Sequence, residues 1–134
     1  MPFPVEMKWI HATQEKLGVT FPASFVLEMS KNNGGDIETE TDNWTLYPFL
    51  DASDRKRIQR TCSSIDRETK YARESSYGFP EHAVAIAGGM GGDYLILLPM
   101  EDHPQTLQHS VYWWDHETGE VELLADDFSD LAKS

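Results

Sequence analysis

Hydrophobic and polar positions change their period twice along the chain. Over residues 5–17, Val5, Trp9, Ile10 and Leu17 recur near helical spacing, and Gly18 follows where a left-handed turn would end a helix. A second amphipathic segment opens at Phe21-Pro22, with Pro22 suited to a helix start, Ser24 as an alternative cap, and Phe25, Val26 and Met29 on its inner face. The run Asn32-Asn33-Gly34-Gly35 ends it. The pattern predicts two short helices in the N-terminal third.

The period then falls towards two. Ile37, Thr39 and Thr41 alternate with acids ahead of the apolar run Trp44-Thr45-Leu46-Tyr47-Pro48-Phe49, so two short strands with a turn near Asp42-Asn43 are expected. Pro48 has no N–H to give to a ladder, which should end the second strand or place it at an edge. Residues 54–77 are polar and charged, with Ile58, Ile65, Tyr71 and Ala72 isolated among them, and predict one or two exposed helices. Four runs rich in branched and aromatic residues follow: 83–87 (AVAIA), 93–98 (DYLILL), 110–115 (SVYWWD) and 120–124 (EVELL). DYLILL is apolar on both faces and belongs inside a sheet. Asp115-His116-Glu117-Thr118-Gly119 reads as a hairpin turn, and residues 126–131 as a short helix with acids in its first turn. Helices followed by strands, without regular βαβ alternation, mean an α+β fold. The expectation is one domain over residues 1–134: an antiparallel or mixed twisted sheet of about five to six strands, with the N-terminal helix pair and further helices packed around it.

Composition narrows the setting. A chain of 134 residues that is 40% hydrophobic and 11% aromatic has enough apolar material to bury a core without disulfides or a structural metal. Cys62 is the only cysteine and cannot pair within the chain, which suits a reducing compartment. No stretch approaches the roughly 18 apolar residues of a membrane span, and the opening MPFPVEMKW has neither the basic nor the apolar region of an export signal. A cytoplasmic protein with no membrane partner is expected.

The net charge of −12 argues against nucleic acid as a partner, because phosphate binding is driven by Lys and Arg. The charge is also uneven. Residues 1–75 hold 12 acids and 10 bases, whereas residues 76–134 hold 11 acids and a single base, Lys133. Such a half-molecule is complementary to a cationic partner.

Candidate catalytic chemistry does not assemble from the residue pattern. Gly88-Gly89-Met90-Gly91-Gly92-Asp93 is glycine-rich, but it joins strand to strand and ends in an acid that would repel phosphate, so it reads as a turn or bulge. His11, His82, His103, His109 and His116 lack zinc-type spacing and a second cysteine, so no metal or cofactor is expected. Cys62 has no histidine near it in sequence and reads as a semi-buried spectator thiol. Glu120 and Glu122 share one strand face and read as solvated acids. In SVYWWD, Val111, Trp113 and Asp115 face one way and Tyr112 and Trp114 the other, so one aromatic is core while the other either packs under residues 54–77 or lies partly exposed beside acids.

Three signatures in order resemble the SUKH superfamily, the Smi/Knr type of immunity and regulatory domain. The first is Leu17-Gly18-Val19-Thr20-Phe21-Pro22, continuing through Phe25 to Asn33-Gly34-Gly35. The second is Gly91-Gly92-Asp93-Tyr94-Leu95, preceded by Phe79-Pro80 and Ala85-Ile86-Ala87. The third is Val111-Tyr112-Trp113-Trp114-Asp115-His116-Glu117, with Phe128 in the segment after it. Glu28 departs from the pattern, which usually has an aromatic at that position. The resemblance implies an α+β domain without catalytic residues, most often a bacterial immunity protein that binds and neutralises a secreted polymorphic toxin. Fungal relatives act instead as regulatory or scaffolding partners. Joined to the charge distribution, it implies a protein partner, a basic toxin domain, of which nucleases are one class. Asp93, Asp115, Glu117 and Glu120 are then the candidate contact charges, and Trp44, Tyr94 and Trp114 the candidate aromatic anchors.

Overall fold

The computed structural model describes residues 2–40, 42–89 and 91–133. Thr41 and Met90, which entered the strand and glycine-loop readings, lie outside them. Helix α1 spans Met7–Leu17 and stops at Gly18, whose φ of 69° is the left-handed conformation a glycine adopts without a Cβ clash, with its N–H bonded to the Gln14 carbonyl. Val5 lies ahead of the helix and is core all the same. Helix α2 spans Ala23–Lys31 with Pro22 at its cap position, and Phe25 and Met29 are its buried face. The Ser24 hydroxyl does not cap α2; it donates to Asp127 at 3.1 Å.

Strands β1 (Gly35–Glu38) and β2 (Asn43–Leu46) form the expected hairpin, and Tyr47 continues towards β3 through its N–H to the Ile86 carbonyl before Pro48 ends the pairing. The charged middle segment folds as α3 (Arg55–Arg60) and α4 (Ile65–Ser75). Cys62 lies between them and is exposed, which corrects the semi-buried expectation. Strands β3 (Val84–Gly89), β4 (Tyr94–Leu97), β5 (Val111–Trp114) and β6 (Val121–Ala125) follow as consecutive antiparallel neighbours. A 3-10 turn at Phe128–Asp130 takes the place of the expected C-terminal helix, and a two-residue strand β7 (Ala132–Lys133) pairs with β1.

The result is a seven-stranded sheet in the order β6-β5-β4-β3-β2-β1-β7, antiparallel at each pairing. Its extra strand relative to expectation is β7. The DYLILL segment sits inside the sheet, with all four residues of β4 buried. Alternation along β4 divides the core. Leu95 and Leu97 point with Ile37, Trp44 and Leu46 towards α1 and α2, while Tyr94 and Ile96 point with Trp114 towards Ala72 of α4 and Phe79. Thr69 fastens α4 to the sheet, donating from its hydroxyl to the Ala85 carbonyl and accepting the Ala85 N–H at 2.9 Å.

Candidate partner-binding surface

The glycine loop is a β3–β4 connection whose glycines make room for aromatics. A Cβ on Gly89 would come within 2.8 Å of the Trp44 ring, and one on Gly88 would collide with the Tyr47 hydroxyl. Gly92, at φ 102°, leaves its flank to the His116 ring. Gly88 and Gly89 thus let the Tyr47 and Trp44 side chains approach the β3 backbone closely.

Asp93, just beyond this loop, is a structural acceptor. Its Oδ2 accepts the Trp113 indole N–H at 2.9 Å, and its Oδ1 accepts the His116 backbone N–H at 3.0 Å and faces His116 Nδ1 at 2.5 Å. Burial alone would push this carboxyl up, but the bonds from His116 and Trp113 outweigh it and hold Asp93 below the usual carboxylate range. The carboxylate correspondingly raises the His116 imidazole above its ordinary value. Asp93, Asp115 and His116 bring potential ligand atoms within 4.8 Å of one another.

The aromatic anchors read from the sequence are core residues, and this corrects that expectation. Trp44 and Trp114 are each 1% exposed and Tyr94 is 8% exposed. Trp44 packs edge-on to Trp113 on the α1–α2 side, and Trp114 and Tyr94 meet Phe79 on the α4 side. The Trp114 face of SVYWWD is thus core, covered by α4 and Phe79, whereas Trp113 on the other face is partly exposed beside Asp115, Glu120 and Glu122. Among the described residues, no acceptor reaches Nε1 of Trp44 or Trp114, so both rings are held by packing.

The expected surface charges do come together. Asp115 accepts the N–H groups of Glu117 and Thr118 in the β5–β6 turn, which closes at Gly119 with φ 76°. Glu117, Glu120 and Glu122 are exposed around it, and a recess of about 100 Å³ lies between Trp113, Asp115, Glu120 and Glu122. No Lys or Arg lies between Arg73 and Lys133, so this hairpin has no cation of its own strand to neutralise it.

Two other groupings are engaged within the fold. Ser24, Ser129 and His109 all approach the Asp127 carboxylate, with His109 Nδ1 at 3.6 Å. The acid sits between hydroxyl and imidazole, so this is a cap for the 3-10 turn and not a nucleophile with its base. A larger cleft of about 470 Å³ is walled by Phe3, Tyr47, Pro48, Arg57 and Arg60 among others. Its cations are already used: Arg57 pairs with Asp51 at 3.2 Å, and Arg60 lies 4.4 Å over the Phe3 ring.

A family model described as SMI1 / KNR4 family (SUKH-1) matches residues 4–134, and the chain belongs to that family. No curated protein and no solved structure gives a significant match. Among the described residues, no helix is long and apolar enough to cross a membrane.

Proposed function

We propose that this SUKH-1 domain is a non-catalytic cytoplasmic immunity protein that binds and neutralises a basic toxin domain through its β5–β6 hairpin. The observation that carries the reading is the hairpin itself, where Glu117, Glu120 and Glu122 stand exposed around Asp115. Family membership supports an immunity-type binding function. The uneven charge favours a basic partner, since clefts that cut nucleic acid are basic and an acidic surface complements them.

Binding of this kind gains its encounter rate from long-range attraction, which salt screens within about 8 Å at physiological ionic strength. The test is to search the neighbouring genes for a toxin domain, co-express it with the chain, and follow association kinetics from low to high salt; a neighbourhood that encodes no toxin counts against the reading. Protection of the toxin's target, with association slowing steeply as salt rises, is the expected result. A neighbouring toxin whose damage continues in the presence of the chain, or association indifferent to salt, would overturn the reading. Recovery of a basic cellular protein in place of a toxin would turn it towards a regulatory or scaffolding module.

A further inference from the structure

The two ends of the sheet are finished differently. At one end β7 is two residues long, and its Lys133 folds back onto Glu28 at 3.1 Å and the Asn32 carbonyl at 2.7 Å. Short edge strands bearing lysine are a common guard against further pairing. At the other end β6 is five residues long, contains neither lysine nor proline, and has no strand beyond it among the described residues.

We propose that the partner docks by adding a basic extended strand to the open edge of β6, an inference that rests on the acidic hairpin being the partner-binding surface. The ladder register determines which backbone groups are free. The Asp115 N–H donates to the Glu120 carbonyl at 2.9 Å, and Trp113 stands opposite Glu122. Antiparallel alternation therefore turns the backbone groups of Glu120 and Glu122 towards β5 and those of Val121 and Leu123 outward. A docking strand would find two N–H and two C=O groups in pairing geometry.

Side chains on the same strand define what that docking strand must be. Glu120 and Glu122 lie on the face of Trp113 and Asp115, and call for Lys or Arg at alternate positions of the incoming strand. Val121 and Leu123 lie on the other face, opposite Trp114 and Tyr112, and are 38% and 57% exposed. They call for apolar residues at the intervening positions. A second copy of this chain would bring the same glutamates into the pairing and be repelled, so the edge discriminates against itself while accepting a basic strand.

The probe is a blocked octapeptide of alternating Lys and Val, added to the full chain, with amide hydrogen exchange followed residue by residue. Exchange at Val121 and Leu123 should slow at least about tenfold, and a Glu-Val octapeptide should leave it unchanged. Val121→Pro removes an N–H that β5 does not use, and should weaken Lys-Val binding about tenfold or more. Binding that leaves both amides exchanging at their free rate, or survives Val121→Pro unchanged, would overturn strand addition while leaving the acidic surface as the contact. Absence of Lys-Val binding would also overturn it, and toxin protection would still report separately on the function. If Val121→Pro does not fold, exchange in the unsubstituted chain decides the point alone.

Discussion

Asp93 holds His116 by two contacts, one to its backbone N–H and one to its ring, across the junction between the β3–β4 loop and the β5–β6 turn. The same carboxylate takes the Trp113 indole. The Gly-Gly-Asp and Trp-Trp-Asp-His segments, separate in sequence, are thus two halves of one clamp. That clamp sets the start of the acidic hairpin on the sheet, and Gly92, whose φ of 102° favours glycine, leads the chain into Asp93 beside the His116 ring.

Removing the acceptor should loosen the hairpin. Asp93→Ala strands the half-buried Trp113 indole N–H and is expected to cost about 1–3 kcal/mol, with Asp93→Asn less damaging because an amide oxygen can still accept. Urea denaturation of both variants checks the order. Equal midpoints for Asp93→Ala and the parent chain would refute the clamp.

The pair also predicts a pH profile. A carboxyl lowered on folding contributes stability above its unfolded pKa of about 3.9 and loses it as pH falls through the lower folded value. An imidazole raised on folding contributes below its unfolded pKa of about 6.5 and loses it as pH rises through the higher folded value. The clamp is therefore strongest in mildly acid solution and weakens on the alkaline side. Comparing denaturation midpoints across pH for the parent and His116→Gln should show an alkaline decline that the variant lacks; superimposable profiles would refute it.

Gly88 and Tyr47 form a second relationship open to test. Gly88→Ala should destabilise the chain by about 1–3 kcal/mol, because its Cβ would meet the Tyr47 hydroxyl on an already packed sheet face. Tyr47→Phe removes that oxygen. In the double variant part of the loss should be recovered, since the ring carbon beneath the hydroxyl still lies 3.1 Å from the new Cβ, and a double-mutant cycle measures this as non-additivity. Simple additivity would mean that the collision is relieved elsewhere.

Charge reversal on the hairpin should separate binding from folding. Glu120→Lys and Glu122→Lys alter exposed side chains and should change stability by no more than about 0.5 kcal/mol. Association with a basic partner should slow in stopped-flow measurements, and its dependence on salt should flatten. Trp114→Phe is the converse control: it alters the core, so its effect should fall on thermal stability and leave association rate unchanged.

Near the C-terminus, Lys133 of β7 pairs with Glu28 of α2, and the lysine also reaches the Asn32 carbonyl at the end of that helix. The pair, with Lys133 12% and Glu28 38% exposed, is worth on the order of 1 kcal/mol after solvent screening and ties β7 to the helix that packs on the core.

Much of the architecture was legible in the chain because it depends on neighbours in sequence. Gly18 stops α1 by its own φ, Pro48 cannot extend the ladder, and the apolar positions of DYLILL require a strand covered on both sides. The uneven distribution of acids is likewise a property of order alone. Only the tertiary structure decided which aromatics reach solvent, because burial depends on what packs over a face: Trp114 and Tyr94 are core since Phe79 and α4 arrive from distant positions. It also decided that Asp93 spends its oxygens on Trp113 and His116, and that two residues near the C-terminus complete the sheet beside β1. Such pairings join positions far apart in the chain, where local pattern carries no signal.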